Sequence, residues 1–184
     1  MLLQLMPTER ADELLSIGRF TSLAAHEHYI RAGQVPRRFA FAFSGLFRYV
    51  YVSPKGQEYT KGLVTEHRFV VSYSAMISAA PSHFYVEALE SSEILDIPYY
   101  KWQALLASDV YWVRFLLRFV EEGFMAKEKR ERELLLLDAE TRYLYFLEES
   151  PGLDKRITQT IIASYLGIQP ESLSRIRKKY LLLT

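Results

Sequence analysis

Apolar and polar positions follow three successive patterns along the chain. Residues 7–23 have helical spacing, with Thr8 as a candidate N-cap and an apolar patch just before Gly18. From about residue 26 to residue 98, short β-branched and aromatic runs alternate with turn signals, which predicts an antiparallel sandwich or barrel. The six runs are HEHYI, FAFAF, LFRYVYV, EYTKGLV, HFYVEAL and EILDI. The segment SPKG predicts a hairpin between LFRYVYV and EYTKGLV.

After Pro98 the pattern becomes helical. The predicted helices span residues 99–107, 109–133 and 138–149. Along the long helix, apolar residues recur every three or four positions. The helix can therefore pack on the strand domain, form a short coiled coil with a second copy, or do both with different faces. The candidate dimer residues on this helix are Val113, Leu116, Leu117, Val120 and Phe124.

Two short helices joined by a glycine close the sequence. Thr158 can cap the first helix, and Gly167 permits the positive φ that a tight reversal needs. Pro170 begins the second helix where its missing N–H costs nothing, and Glu171 then suits the helix dipole. Apolar residues, with the small Ala163, occupy the expected crossing positions, which predicts a helix–turn–helix.

Charge sets this end of the chain apart. The chain has a formal net charge of +1, yet residues 155–179 hold six basic residues and one acid, a net +5 that leaves −4 elsewhere. An anion-binding module and a solvated charged face both fit this asymmetry.

Exposed positions of the predicted last helix carry groups that suit DNA. Glutamate can accept from cytosine N4, arginine can bind guanine bidentately, and lysine suits phosphates. The candidate DNA-binding residues here are Gln169, Glu171, Ser172, Arg175, Lys178 and Lys179. A plain helical hairpin is the alternative interpretation.

Composition and motifs exclude several classes of protein. The 184 residues are 49% hydrophobic and contain no cysteine, so we expect a folded core without disulfides, thiolate catalysis or cysteine-ligated metal sites. No apolar run reaches the ~18 residues of a membrane span, and the start lacks a signal peptide's basic region, so we expect a cytoplasmic protein without a membrane partner. We expect no enzyme, because common catalytic and nucleotide-binding motifs are absent.

Two pairs of histidines raise the question of a metal site. His26 and His28 lie two apart on the predicted strand HEHYI, so both rings could face one side and bind a metal. Two exposed polar strand residues are the more common explanation. His67 and His83 could flank one pocket, which leaves a haem or metal interpretation open. We assign no metal site and leave the cofactor unknown.

The segments IASYLGIQPESLSRIRKK and ETRYLYFLEESPGL resemble the Crp/Fnr transcription regulators, in the variants common in Bacteroidetes-type bacteria. The resemblance covers most of the chain and implies an α+β fold. The implied domains are a cyclic-nucleotide-binding-like β-barrel (jelly roll) at 1–108, a dimerisation helix and hinge at 109–137, and a winged-helix-like helix–turn–helix domain at 138–184.

The resemblance also assigns residues to DNA contacts. It implies that Glu171 and Arg175 read bases and that Thr158 and Gln159 contact phosphates from the first helix. Pro170 departs from the family, which usually has Arg or Ser there, so one contact is expected to be missing.

A phosphate-binding cassette is implied in the stretch RFVVSYSAMISAAPSHFYVEA. Val71 and Ser72 stand where cAMP-binding members have Gly-Glu, and Ser82 and His83 stand near the Arg-Ser position. The stretch has no arginine after its first residue, so we do not expect cAMP to bind. The candidate pocket residues, some of which could line a pocket for an apolar ligand, are Phe69, Val71, Ser72, Tyr73, Ser82, His83 and Tyr85.

We therefore predict a homodimeric transcription regulator that reads an inverted repeat and has a degenerate nucleotide pocket. The alternative is a ligand-binding or protein-interaction module with a vestigial helix–turn–helix, which Pro170 and the short tail after the last helix favour. Expected partners are double-stranded DNA and a second copy, with a small-molecule effector and RNA polymerase as further candidates.

Overall fold

The computed structural model describes residues 5–181. The strands are β1 (Arg19–Leu23), β2 (His28–Ile30), β3 (Arg38–Ser44), β4 (Phe47–Val52), β5 (Glu58–Val64), β6 (Phe69–Val70), β7 (Tyr85–Ala88) and β8 (Ser92–Pro98). The helices are α1 (Thr8–Ile17), α2 (Tyr73–Ile77), α3 (Tyr99–Ser108), α4 (Val110–Leu136), α5 (Ala139–Glu149), α6 (Gln159–Leu166) and α7 (Pro170–Leu181). The chain divides into two compact units, one of Met1–Gln57 with Lys61–Trp112 and one of Glu58–Thr60 with Val113–Thr184.

Two four-stranded sheets form the strand region, in the orders β1-β8-β3-β6 and β2-β7-β4-β5. The pairs β1–β8, β3–β8 and β4–β7 are antiparallel. Side chains from both sheets meet in one buried cluster, which includes Tyr29, Ala42, Phe47, Val86 and Ile94. The predicted fold class, an α+β chain that begins with a jelly-roll-like strand domain, is confirmed.

A second aromatic cluster lies on the other face of the β1-β8-β3-β6 sheet. Alternation along β3 sends Ala40 and Ala42 into the buried cluster and sends Phe39 and Phe41 to the opposite face. There, Phe41 and Phe69 have ring centroids 5.2 Å apart, and Phe39 lies 5.6 Å from Trp102 of α3. This packing explains why the FAFAF run contains both small and large apolar residues.

The first helix is shorter than its sequence pattern predicts. The predicted helix over 7–23 was wrong beyond Ile17, because residues 19–23 form β1 and pair with β8. A Cβ at Gly18 would lie 2.6 Å from Cγ of Leu95, so the glycine permits this close approach to β8. Sheet pairing therefore overrides the helical pattern in this segment.

Two short elements were missed from the sequence. β6 has two residues and α2 has five, too few for either to show a periodic signal. The β4–β5 hairpin is confirmed, since these strands are neighbours in their sheet. Its turn closes with a 2.8 Å bond from Ser53 N–H to the Gln57 carbonyl and has Gly56 at φ +79°.

The predicted boundaries of the helices near the C-terminus agree closely with the structure. Asp138 caps α5 by accepting from the N–H of Thr141 at 2.8 Å, and Thr158 caps α6 by accepting from the N–H of Ile161 at 3.3 Å. The long helix begins at Val110 and continues to Leu136, three residues beyond the predicted end. Between residues 137 and 181 the structure contains no strand, so these residues include no winged-helix wing.

Candidate nucleic-acid interface

The reversal between α6 and α7 depends on one glycine. Gly167 has φ +68°, its N–H donates to the Ser164 carbonyl, and the next N–H, from Ile168, donates to the Ala163 carbonyl at 3.0 Å. These two bonds form a Schellman motif, which satisfies the last carbonyls of α6. Ala163 and Leu173 are fully buried, so the two helices pack closely on each other. The predicted helix–turn–helix and the role of its glycine are confirmed.

One face of α7 is exposed and polar, and we call it the recognition face. It consists of Glu171, Ser174, Arg175 and Lys178, at successive steps of three, one and three residues. These steps place the four side chains on one side of a helix. Ser174 was missed from the sequence, although its i+3 spacing from Glu171 would have indicated it. Ser172 is only half-buried and lies beside this face.

Lys179, one of the predicted phosphate ligands, already has an acidic partner. Its Nζ lies 2.7 Å from Oε1 of Glu140, which also accepts from the Tyr180 hydroxyl at 2.9 Å. The hydrogen bond from Lys179 lowers the pKa of Glu140 below its usual value, and the same bond raises the pKa of Lys179. The pair is exposed, so solvent screens it and it holds Lys179 only weakly.

The flanking candidates lie at the exposed ends of the two helices. Thr158 and Gln159 are exposed at the start of α6, and Gln169 is exposed just before α7. The carbonyl of Gln169 accepts the N–H groups of Ser172 and Leu173 at 3.0 and 3.2 Å. Pro170 is the first residue of α7, as predicted. The backbone thus holds all these positions, while the side chains of Thr158, Gln159 and Gln169 remain exposed.

Two arginines fix the C-terminal half of α4 to the following helices. Arg130 donates to the Tyr165 carbonyl at 2.6 Å and stacks over the Tyr165 ring at 3.9 Å from its centroid. Arg142 of α5 donates to the carbonyls of Leu134 and Leu137 at 3.1 and 3.2 Å. These contacts attach the helix–turn–helix to the end of α4.

The predicted dimer residues are grouped on one side of α4. Val113, Leu117, Val120 and Phe124 are all exposed, and Phe124 is 66% exposed. We call these four residues the α4 stripe. Leu116, the fifth predicted residue, is half-buried beside it.

The opposite side of α4 packs within the chain. Phe115 is buried, and its ring centroid lies 4.8 Å from that of Phe119. The α4 stripe therefore points away from the side of the helix that is already covered.

In the predicted cassette, the two buried serines are hydrogen-bonded to each other. Ser72 and Ser82 are almost fully buried, their hydroxyl oxygens are 2.9 Å apart, and the Ser82 hydroxyl also donates to the Phe84 carbonyl at 2.7 Å. Backbone bonds between Ser82 and both Gly33 and Gln34, each 2.8 Å long, fix this segment further. These contacts engage the hydroxyls of both serines within the protein itself.

The structure does not bring all predicted pocket residues together. Phe69 packs on Phe39 and Phe41, whereas the next residue, Val70, enters the cluster between the sheets. Tyr85 stacks on His28 at 4.6 Å, on the other face of its sheet from Val86. Val71 and Tyr73 are half-buried, and His83 is exposed.

Two residues beside the cassette were missed from the sequence. The Tyr49 hydroxyl accepts the Val71 N–H at 2.8 Å, and burial raises the pKa of this phenol. The ammonium of Lys61 lies 4.7 Å from the ring centroid of Phe84 and 5.4 Å from that of Tyr49. Both residues come from strands that precede the cassette, so no local motif could have identified them.

The histidine hypothesis was wrong in its geometry. His26 lies in a turn at φ +67°, before β2 begins at His28, so the two residues do not share a strand. Within residues 5–181, no three histidine or acidic side chains are grouped closely enough to hold a metal ion. Over the same residues, no helix combines the length and apolar character that crossing a membrane would require.

Comparison with known proteins shows which families and structures this chain is similar to. Residues 20–109 match the family model of the cyclic nucleotide-binding domain. No curated protein sequence matches the chain significantly.

Several solved structures share the fold. FixK2 from Bradyrhizobium japonicum is 17% identical, with a TM-score of 0.78 over 91% of this chain and 86% of that one. The c-di-GMP-responsive global regulator CLP from Xanthomonas campestris is 16% identical, with a TM-score of 0.76 over 95% and 91%. Thermus thermophilus catabolite activator protein is 18% identical, with a TM-score of 0.62 over 97% and 85%. The resemblance to Crp/Fnr regulators is thus confirmed at the level of the fold.

Proposed function

We propose that this protein is a homodimeric, DNA-binding transcription regulator of Crp/Fnr type that reads an inverted-repeat operator through α7. The observation that carries the proposal is the recognition face, four exposed polar residues on the second helix of a tightly packed helix–turn–helix. A helix with one apolar and one polar face fits the major groove when a first helix packs across it.

Each residue of the recognition face has a distinct expected role. Arg175 reads guanine through two hydrogen bonds, and Glu171, one turn earlier, accepts from cytosine. Lys178 contacts phosphate, and Thr158 and Gln159 contact phosphate from the start of α6. Ser174 adds a small hydrogen-bond donor between Glu171 and Arg175. Lys179 contributes less than Lys178, because Glu140 competes for its ammonium.

Selection from a random pool of double-stranded DNA tests this function. We expect enrichment of a palindrome whose half-site centres are about 34 Å apart, one helical turn. Arg175→Ala should flatten the preference at one position of each half-site, where the contact is worth about 1–3 kcal/mol. Lys178→Ala should weaken binding to all sequences and lower the salt slope by about one.

A control separates these effects from a general loss of positive charge. Lys55 is exposed in the β4–β5 turn, so Lys55→Ala should change neither sequence preference nor salt slope. If no palindrome is enriched, or if Arg175→Ala selects the same motif as the wild type, this assignment of α7 fails.

The proposed dimer forms through the α4 stripe. Four apolar side chains exposed in a row on one helix are costly in water unless a partner covers them. A dimer with two-fold symmetry would also supply the second α7 that a palindromic operator requires.

We further propose that the strand domain does not use cAMP. The support is the cassette, where Ser72 and Ser82 bond to each other and to Phe84. Lys61 supplies a cation nearby, but an acidic partner for the ribose is missing where the family has Gly-Glu. Calorimetry with cAMP and cGMP should show no binding, and a low-micromolar dissociation constant would overturn this statement.

The second candidate function is a module whose helix–turn–helix no longer binds DNA. Pro170 at the start of α7 and the neutralisation of Lys179 by Glu140 favour it. A gel shift with the DNA upstream of the protein's own gene distinguishes the two, since only the regulator should produce a salt-sensitive shift that Lys178→Ala weakens.

A further inference from the structure

A narrow cleft lies between the end of α4, one side of α5 and the end of α6, and we call it the α5 cleft. The space inside it is about 40 Å³, which is room for about three water molecules. None of its lining residues belongs to the recognition face or to the α4 stripe. Six of the polar side chains that line the cleft are Arg130, Glu133, Arg142, Tyr145, Glu149 and Ser150.

Both carboxylates of the cleft already have a cation. Lys129, which lies outside the lining, binds Glu133 at 3.6 Å and also binds Glu149. Arg130 and Arg142, by contrast, donate to backbone carbonyls and form no ion pair within residues 5–181. Three cations therefore accompany two carboxylates at this place, which gives a local net charge of +1.

Arg142 leaves one edge of its guanidinium without an acceptor. Its Nη1 donates to the carbonyls of Leu134 and Leu137. In the part of the chain that the structure describes, Nε is buried without a partner, and Nη2 has no hydrogen bond either. Asp138 attracts Arg142, but its carboxylate is exposed and caps α5 outside the cleft.

This unused edge has the geometry of a carboxylate site. The N–H groups on Nε and Nη2 of Arg142 are parallel, and they match the two oxygens of a carboxylate. A buried N–H without an acceptor is costly, so an anion at this edge stabilises the protein.

Two hydroxyl groups add further donors to the cleft. Tyr145 is 41% exposed, and neither its hydroxyl nor that of Ser150 forms a hydrogen bond with any residue from 5 to 181. Phe146 is buried and supplies an apolar wall. Because Lys129 occupies the carboxylates, the remaining polar groups of the cleft are best satisfied by an anion.

We infer that the α5 cleft is a binding site for a small monocarboxylate of the size of formate or acetate, held by the Nε–Nη2 edge of Arg142 and by the hydroxyls of Tyr145 and Ser150. One such anion neutralises the local charge of +1, which a phosphate dianion would exceed. The small space admits a few heavy atoms and excludes a nucleotide. This inference goes beyond the proposed regulator and does not depend on it.

An NMR titration of the full chain with sodium formate and sodium acetate tests the site, with the ionic strength held constant by sodium chloride. We expect saturable shifts of the amide signals of Arg142, Tyr145 and Ser150, with dissociation constants in the millimolar range, because so few ligand atoms limit the affinity. Benzoate has the same carboxylate on a larger ring and should bind about tenfold more weakly or not at all, because the cleft is small.

Two variants test the proposed donors. Arg142→Lys keeps the charge but loses the parallel N–H pair, so it should weaken formate binding about tenfold. Tyr145→Phe should weaken it about threefold, and this variant keeps the bonds from Arg142 to Leu134 and Leu137, so the test remains decisive if Arg142→Lys lowers stability. Arg132→Lys, at an exposed position of α4 outside the cleft, is the control and should bind formate as the wild type does.

The outcomes separate clearly. No saturable shift with formate or acetate overturns the site, and equal affinities of the wild type, Arg142→Lys and Tyr145→Phe overturn the proposed donors. Benzoate binding as tight as that of formate overturns the argument from size. No DNA is present in the titration, so a failure of the DNA selection would leave this result unaffected.

Discussion

Replacing Val120 and Phe124 together with glutamate should convert the dimer into monomers. Phe124 is 66% exposed and Val120 is 40% exposed in the single chain. Complete burial of such side chains is worth roughly 1.5–3 kcal/mol each, so covering these fractions on both protomers contributes roughly 3–6 kcal/mol. Four glutamates facing each other across the two-fold axis would add repulsion to this loss.

The expected change in affinity is large enough to measure directly. A loss of roughly 3–6 kcal/mol raises the dissociation constant by about 10²- to 10⁴-fold. Size-exclusion chromatography with light scattering at tens of micromolar should therefore show a dimer for the wild type and a monomer for the double variant. Circular dichroism should show that the helical content is retained.

The matched control is Met125→Glu. Met125 is 60% exposed, apolar and on the same helix, but it lies outside the α4 stripe. This variant should remain dimeric. The reasoning is refuted if the double variant sizes as a dimer, if Met125→Glu dissociates equally, or if the wild type is already monomeric at these concentrations.

Three further predictions concern the DNA-binding helices and the cassette. Glu140→Gln should release Lys179, raise DNA affinity and steepen the salt slope by up to about one in salt titrations of DNA binding. Glu148→Gln is the control, because Glu148 is exposed on the same helix, and it should cause neither change. The pKa of Glu140 is lowered in the folded protein, so its ion pair with Lys179 is present above the unfolded-state pKa and is lost as the pH falls through the folded-state pKa. At neutral pH the pair is present, and the wild type should therefore bind DNA less tightly than Glu140→Gln. Gly167→Ala should lower the free energy of unfolding by about 1–2 kcal/mol in urea titrations and should also weaken DNA binding. The control is Gly152→Ala, because Gly152 has φ +79° and no atom near the position of a Cβ. This variant should lower stability without weakening DNA binding. Ser82→Ala removes the bonds to Ser72 and Phe84 and should destabilise the protein by about 1–3 kcal/mol in the same titration; an unchanged midpoint would contradict a structural role for this serine.

Local signals in the sequence predicted the C-terminal helices well. Thr158, Gly167 and Pro170 each act within a few residues of their own position, and each has its predicted conformation or contact. The apolar positions of the α4 stripe were also predicted from the sequence, because their spacing of three or four residues is visible without any knowledge of the fold. These features depend on backbone geometry, which short sequence stretches determine.

Contacts between distant residues could not be predicted in this way. Lys179 and Glu140 are 39 positions apart, and Tyr49 precedes Val71 by 22. β1 was mistaken for helix because its pairing with β8 depends on residues 69 to 77 positions away. Only the folded chain shows that Lys179, a predicted phosphate ligand, is paired with Glu140 and that the hydroxyls of Ser72 and Ser82 bond to each other.

Opposite faces of α4 connect the two proposed activities. Arg130 attaches this helix to Tyr165 at the end of α6, and Lys129 attaches it to Glu149 of α5, so the last turns of α4 and the helix–turn–helix share direct bonds. The α4 stripe lies on another side of the same helix, where Val113, Leu117, Val120 and Phe124 are exposed. A change in how two copies pair along the stripe would therefore act on a helix that is bonded directly to α5 and α6. Pairing of two copies and the placement of α7 are thus expected to depend on each other.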